Sequence, residues 1–405
     1  MAAVLSPAAP AAMTSTLAMP NSGLAPALLE LPPNIYFDTP GVAQQILRAR
    51  YREPEPSRSR SRTPPRRSTF VDAEKADLPF LIAQFGSASS TTWLEQRYKI
   101  WRGEQSTDEA PRIQGYLHHH DWLFAWGDPI CLENAEEMKA TASEMWAWAK
   151  KQKRHLVWCC ISDSFAQVLA DGVGPKGKKW STLSCIREDV LHPSQVKLTG
   201  KDIKQNLRRA QKADLTIDEL VLDAPTFLPD EKTKKQIEEG IEGWRANRHG
   251  RQIASASLLP WLDASSRRYF VARAHGEIVA LCILTPIHHD SYQIKNSIHF
   301  PNSPRGTSEA LLTHVIKTMK EEGRNALSFG ASATEVLYLE HNIGGWSIKL
   351  LAKGYKEIVK RTGLAKRGQF RSKFDTEQGE LLHVSFPPHG MGWAGLVGLM
   401  SVLRA

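Results

Sequence analysis

Between residues 268 and 330 the sequence passes through an order of elements that few folds accommodate, and this stretch constrains the chain more than any other. Residues 268–273 and 278–285 read as strands joined at His275-Gly276, and residues 292–299 read as a third strand. Pro304-Arg305-Gly306-Thr307 follows as a loop. A helix then runs over 308–322, closed by Gly323, and a short strand over 326–329 ends at Gly330. The upstream half has the same beat. Residues 116–126 suggest a strand pair around a His118-His119-His120-Asp121 turn, stopped at Gly127-Asp128-Pro129. Residues 133–153 carry Met138, Ala142, Met145, Trp146 and Ala149 on one helical face, and Leu156 to Ile161 is a fully apolar strand.

The alternation predicts an α/β protein, and the order over 268–330 is the core of a GNAT-type acyltransferase. In that fold two central strands splay apart, freeing backbone N–H groups to hold an acyl carbonyl, while the loop before the helix offers its amides to phosphate. This loop departs from the commonest version. Binding the pyrophosphate of acetyl-CoA takes several glycines, whereas Arg305-Gly306-Thr307-Ser308-Glu309 has one glycine and then an acid that repels a pyrophosphate.

At 405 residues the chain exceeds a single ordinary core. The sequence divides into an Arg/Ser/Pro-rich extension (1–70) expected to be disordered, an N-terminal GNAT-like unit (71–225), a C-terminal catalytic GNAT-like unit (226–384) and an apolar tail (385–405). The net charge of +9 suggests a polyanion until it is located. Eight arginines against Glu53 and Glu55 place +6 of it within residues 48–67, leaving the folded part about +3. That segment suits either an electrostatic hook for anionic lipid or RNA, which phosphorylation of Ser57, Ser59 or Ser61 would weaken, or a solvated tail.

The most legible helix in the middle of the chain lies over 198–214. Lys201, Lys204, Arg208 and Lys212 fall on one face, with Arg209 beside them, while Ile203, Leu207 and Ala210 face elsewhere. Such a face tracks a phosphate backbone or is simply solvated. Five cysteines, odd in number and without C-x-x-C spacing, indicate buried thiols in a reducing compartment. No metal is expected, because His118, His119 and His120 have no cysteine or acidic partners at ligand spacing. No apolar run reaches the roughly 18 residues of a membrane span, and no secretory signal is recognisable. The tail, with Met391, Trp393, Leu396, Val397, Leu399, Met400, Val402 and Leu403, suits either an interfacial helix or packing on the protein's own surface.

Five motifs in order resemble the C-terminal catalytic region of the bacterial phosphatidylglycerol lysyltransferases, the multiple peptide resistance factors, over roughly residues 78–384. These are Gly127-Asp128-Pro129, Gly200-Lys201 with Leu207-Arg208-Arg209-Ala210, Pro301-Asn302-Ser303-Pro304-Arg305-Gly306-Thr307, Phe329-Gly330, and Phe370-Arg371-Ser372-Lys373-Phe374. The freestanding form is similar to fungal sterol aminoacyltransferases of the ergosteryl-glycine synthase type. The resemblance implies two tandem GNAT-like domains. It also implies an aminoacyl-tRNA as co-substrate in place of a cofactor, a synthetase acting in trans, a lipid hydroxyl as acceptor, and a cytoplasmic enzyme peripheral to a membrane.

It further implies Lys373, Arg371 and His299 as catalytic candidates. Lys295, Asn296, Ser297, Arg305, Gly306, Thr307, Gly330 and Ser332 are implied as the substrate-binding set, and Lys201, Lys204, Arg208, Arg209 and Lys212 as the tRNA-binding set. Arg371 and Lys373 equally fit the exposed face of a strand whose Phe370 and Phe374 pack inward. Where the lysyl-transferring family has Asp-x-x-Arg, this chain has Lys295 and Ile298. A lysine there disfavours a lysyl donor and suits glycyl transfer to ergosterol. Aspartyl transfer, or phosphatidylglycerol as acceptor, is the alternative, and the expected site of Lys295 is a wet tunnel mouth. Rival readings of other classes are an acetyl-CoA N-acetyltransferase and a non-enzymatic tRNA-binding protein.

Overall fold

A computed structural model describes residues 73–404 apart from 105, 108, 109, 175, 225, 248–257 and 344–369. The expected extension over 1–70 lies outside the described residues.

The first half contains α1 (Leu78–Phe85), β1 (Lys99–Arg102), β2 (Ile113–His119), β3 (Trp122–Trp126), α2 (Ala135–Lys151), β4 (His155–Ile161), α3 (Asp163–Asp171) and β5 (Ser181–Leu191). Next come α4 (Lys201–Lys212), β6 (Thr216–Glu219), α5 (Glu231–Ala246), β7 (Arg268–Ala274), β8 (Glu277–Ile287), β9 (Ser291–His299), α6 (Thr307–Glu321) and β10 (Leu327–His341). β11 (Glu377–Phe386) and α7 (Gly392–Arg404) close the chain. Local chemistry sets the helix starts. Asn134 accepts from the Glu137 amide ahead of α2, Ser162 from the Phe165 amide ahead of α3, and Asp230 from the Thr233 amide ahead of α5.

The eleven strands among the described residues form one sheet in the order β1-β2-β3-β4-β11-β5-β10-β9-β8-β7-β6. The two halves repeat one design, in which an antiparallel hairpin leads through a helix to a parallel strand. It is built once as β2-β3-α2-β4 and once as β8-β9-α6-β10. Strand side chains alternate between opposite cores. Val157 joins Leu78, Ile82 and Val402 under α1 and α7, whereas Leu156 and Trp158 join Met145, Phe165 and Leu169 under α2 and α3. In the second half Cys282 and Leu284 pack with Leu311 and Val315 of α6, and Leu281 and Ile283 with Ile237 and Ile241 of α5.

The halves exchange strands at their junction. β5, from the first half, pairs with β10, and β11, from the end of the second, pairs with β4 and with β5. The division at 225/226 also separates α4 and β6 from the elements they pack on, since α4 lies on α6 and β6 pairs with β7. Two local expectations change. The short strand 326–329 extends to His341, interrupted by a register shift across Gly330, between Ser328 and Ala331, and by two more beyond Ala333 and Leu339. Residues 370–374 are helical, Phe370 and Arg371 leading into a 3-10 turn at Ser372–Phe374, so they form no strand. Their aromatic pair, four residues apart, meets at 5.5 Å between ring centroids, and that spacing serves a helical turn well.

Candidate active site at the splayed strands

β9 and β10 pair only at Tyr292 with Leu327 and Gln293 with Ser328, then diverge. Beyond that point the facing edges of the two strands leave backbone groups with no partner strand in the gap, the arrangement that holds an acyl carbonyl. Two irregularities flank it. On β9 the register slips by one at Lys295, because Ile283 opposes Asn296 while Leu284 opposes Ile294. A bulge of this kind re-aims side chains, and here Ile294 packs with the α6 core while Ile298 packs with the α5 core. On β10 the chain turns at Gly330, whose φ of +77° favours glycine, and the Gly330 amide donates to Ser328 Oγ at 3.0 Å.

The β10 side is held by ionic ties. Arg371 donates to Asp189 Oδ2 at 2.7 Å, to Gly330 O at 2.9 Å and to Ser332 Oγ at 2.9 Å. Ser332 also bonds Asp189, and Ser328 bonds Glu188. Burial pushes the Glu188 carboxyl above its usual range, with the Ser328 bond working against that rise. Arg371 is thereby a tie across the β5–β10 junction, with its guanidinium engaged by protein groups on the β10 side of the gap.

A second group forms at the start of α6. Gly306 is the N-cap residue with φ +93°, and a Cβ there would collide with the carbonyl oxygen of Asn206 on α4. Thr307 is buried and donates to Pro304 O at 2.7 Å. Glu309, in the first helical turn, accepts from Asn206 Nδ2 at 2.9 Å and pairs with Lys373 at 3.3 Å. Lys373 also lies 5.4 Å from the centre of the Phe370 ring. His299 is exposed at the end of β9, its Nδ1 3.0 Å from Ser308 Oγ. The helix start thus carries a carboxylate, an ammonium and the backbone of α4 in close contact. Arg305 is exposed beside it.

Lys201, Lys204, Arg208, Arg209 and Lys212 are all exposed on α4, while Ile203 and Ala210 are buried and Leu207 packs on the same core. A polar cleft of about 310 Å³, lined by His192, Lys197, Thr199 and Asp375 among others, opens before the start of this helix.

Lys295 lies elsewhere than expected. Its side chain is 5% exposed and pairs with Glu95, 3% exposed, at 3.6 Å, and it donates to Thr91 O at 3.1 Å. Asp263 and Arg267, 2.5 Å apart and essentially inaccessible, complete a buried four-charge cluster. Burial lowers the Lys295 pKa, against the Glu95 and Asp263 charges and with that of Arg267, and raises that of Asp263 against Arg267 and Lys295. The wet tunnel mouth is therefore replaced by a closed polar core between β9 and the 89–95 segment. Of its neighbours, Asn296 is half-buried opposite Ile283, and Ser297 is exposed opposite Cys282.

Sequence reasoning passed over Glu95, Asp189, Asn206, Asp263 and Arg267. A usable signal was present for Asp189, since Arg187-Glu188-Asp189 places three charges in a row within a strand. Gly127-Asp128-Pro129 closes β3, where the Asp128 carboxylate accepts the Ser162 amide at 2.8 Å and is pushed by burial up to about 6.

The family model for phosphatidylglycerol lysyltransferase, C-terminal, matches residues 72–380. The chain belongs to this family. Among solved structures it is similar to the C-terminal domain of a putative lysylphosphatidylglycerol synthetase from Agrobacterium fabrum, at 16% identity and TM-score 0.61, over 80% of this chain and 95% of that one. It is also similar to L-PGS from Bacillus licheniformis, at 14% identity and TM-score 0.62, over 83% and 98%. A conserved protein of unknown function from Bacteroides thetaiotaomicron aligns at 12% identity and TM-score 0.51, over 78% and 93%. At these identities the structural likeness speaks for the fold. No curated protein matches the sequence. The matched range takes in both repeats and the β5–β10 junction and ends within β11, before the residues that pair with β4.

Proposed function

We propose that this member of the phosphatidylglycerol lysyltransferase family transfers an aminoacyl group from a charged tRNA to the hydroxyl of a membrane lipid, with glycine as the transferred group and a sterol as the acceptor. The observation that carries the reading is the seating of the basic α4 on the start of α6. Asn206, Glu309 and Lys373 crowd the start of α6, which disfavours a pyrophosphate there, while the outer cations of α4 face solvent. A polyanionic donor docked there delivers its ester to the gap.

Moving an ester between hydroxyls is nearly isoenergetic, so positioning the substrates and stabilising one oxyanion suffices. Backbone amides at the gap hold the carbonyl, and Lys373 and His299 flank the approach. Glycine is the donor that the departure from Asp-x-x-Arg at Lys295 and Ile298 favours, although Lys295 itself, closed in with Glu95, is not offered to the donor side chain. No helix among the described residues is long and apolar enough to cross a membrane. α7 supports a peripheral contact, because its inner side packs on β2 and β3 while Trp393 and Val397 stay 78% and 44% exposed.

The test is purified protein with ergosterol-containing vesicles, tRNA, glycyl-tRNA synthetase, ATP and labelled glycine. Label should enter the lipid fraction and disappear with ribonuclease. Label that survives ribonuclease would exclude a tRNA donor. Label found in phosphatidylglycerol vesicles lacking sterol, and absent with sterol, would move the acceptor to the phospholipid.

A further inference from the structure

The β8–β9 turn carries two adjacent histidines that no step of the proposed reaction uses. His289 and Asp290 both take left-handed backbone conformations, with φ of 59° and 53°, which brings the rings of His288 and His289 to the same side, 3.8 Å apart between centroids. Both face Glu133, just before the N-cap of α2 in the first half. His288 Nε2 is 3.3 Å from one carboxylate oxygen and His289 Nε2 is 3.7 Å from the other.

These separations are longer than a charge-assisted hydrogen bond of about 2.7–2.9 Å. They suit ligand atoms arranged round a shared ion, because a tetrahedral cation with bonds of about 2.0 Å holds neighbouring ligand atoms about 3.3 Å apart. One ligand atom from each of the three residues lies within 4.8 Å of the other two. The groups are also held in place. The His288 amide donates to Gly86 O at 2.9 Å, its ring stacks on Phe85, and Asp290 is tied to Arg324. On the other side Ile130 bridges to Ile113 and Asn134 caps α2, fixing the segment that carries Glu133.

We infer that Glu133, His288 and His289 form a binding site for a divalent transition-metal cation of the zinc type, which clips the β8–β9 turn of the second half to the first. Two imidazoles and one carboxylate select a borderline-soft ion such as Zn²⁺ over Mg²⁺ or Ca²⁺, which favour all-oxygen shells. The half-exposed setting leaves the fourth position to water. The run His118 to His120, the more conspicuous histidines in the sequence, has no carboxylate at ligand spacing, whereas this pair meets its carboxylate from a residue more than 150 positions away.

The site is tested on the full-length chain without an affinity tag, dialysed against chelator and titrated with Zn²⁺ by calorimetry and with Co²⁺ by visible absorption. The wild type should bind one ion per chain at this site, give the absorption of a low-coordinate cobalt centre, and show a zinc-dependent rise in Tm. Glu133→Gln, which preserves shape, should weaken binding at least about tenfold. His288→Ala combined with His289→Asn should remove the saturable site and the Tm rise, the asparagine tolerating the left-handed backbone. Magnesium should produce neither signal. A wild type without stoichiometric zinc binding, or variants that bind as the wild type does, would overturn the assignment.

Discussion

At the scale of single residues, Lys295 shows how far a backbone irregularity moves a side chain. The resemblance puts Lys295 at the match to an aspartate on a strand lining the acyl tunnel, hence the expectation of a wet position. The bulge turns the lysine instead into a closed cluster with Glu95, Asp263 and Arg267. A register slip of one residue is set by long-range packing and leaves no mark on periodicity. The consequence for mutagenesis is direct. Lys295→Asp replaces a buried positive charge by a negative one and leaves Glu95, which keeps Arg97 as an ionic partner, facing a second buried carboxylate. The variant should lose about 3–5 kcal/mol of unfolding free energy, the usual effect of stripping one partner from a buried pair. Urea denaturation measures this, and any change in donor amino acid has to be read against that loss. A variant as stable as the wild type, with altered donor choice, would restore the tunnel position.

At the scale of elements, the long helices with clear apolar spacing were legible, while α3 and the irregular strands were not. α2, α4 and α6 each begin and end within a few residues of where apolar spacing and caps place them. β10 was legible only as far as Gly330, because its later residues carry register shifts that break alternation. The 370–374 turn was ambiguous, since aromatic residues four apart fit both periods. The exposed face of α4 yields a quantitative expectation. Replacing Lys201, Lys204, Arg208 and Lys212 together should weaken tRNA binding and flatten the dependence of log affinity on log salt by roughly 0.7–0.9 for each phosphate no longer neutralised. An unchanged slope in a filter-binding titration would show the face to be merely solvated. α7 is tested separately with uncharged sterol-containing vesicles, which remove any contribution from the basic extension. Trp393→Glu with Val397→Ala should reduce co-sedimentation severalfold, with far-UV circular dichroism unchanged because both side chains point away from the core. Equal partitioning of variant and wild type would assign the helix to packing alone.

At the scale of the whole molecule, the tandem repeat was legible because each hairpin-helix-strand unit is local, whereas the strand exchange joins β5 and β11 across nearly two hundred residues and leaves no local pattern. The exchange changes what the two halves are. β4 has β3 on one side and β11 on the other, so a fragment ending at residue 225 exposes an edge that is fully buried in the intact protein. In the same fragment β5 loses both neighbours, and Leu183, Ser184 and Thr182 lose the partners that bury them. An apolar strand with both edges open favours aggregation over a stable fold. A fragment of residues 73–225 should therefore be insoluble or lack dispersed amide resonances. The full chain should unfold in one transition, with tryptophan fluorescence coinciding with far-UV circular dichroism. The comparison discriminates because Trp93, Trp101, Trp122, Trp126, Trp146, Trp148, Trp158 and Trp180 all lie in the first half, so fluorescence reports chiefly on that half while circular dichroism reports on both. Separate midpoints, or a folded fragment with a dispersed spectrum, would show that the first half stands without the strand it receives from the second.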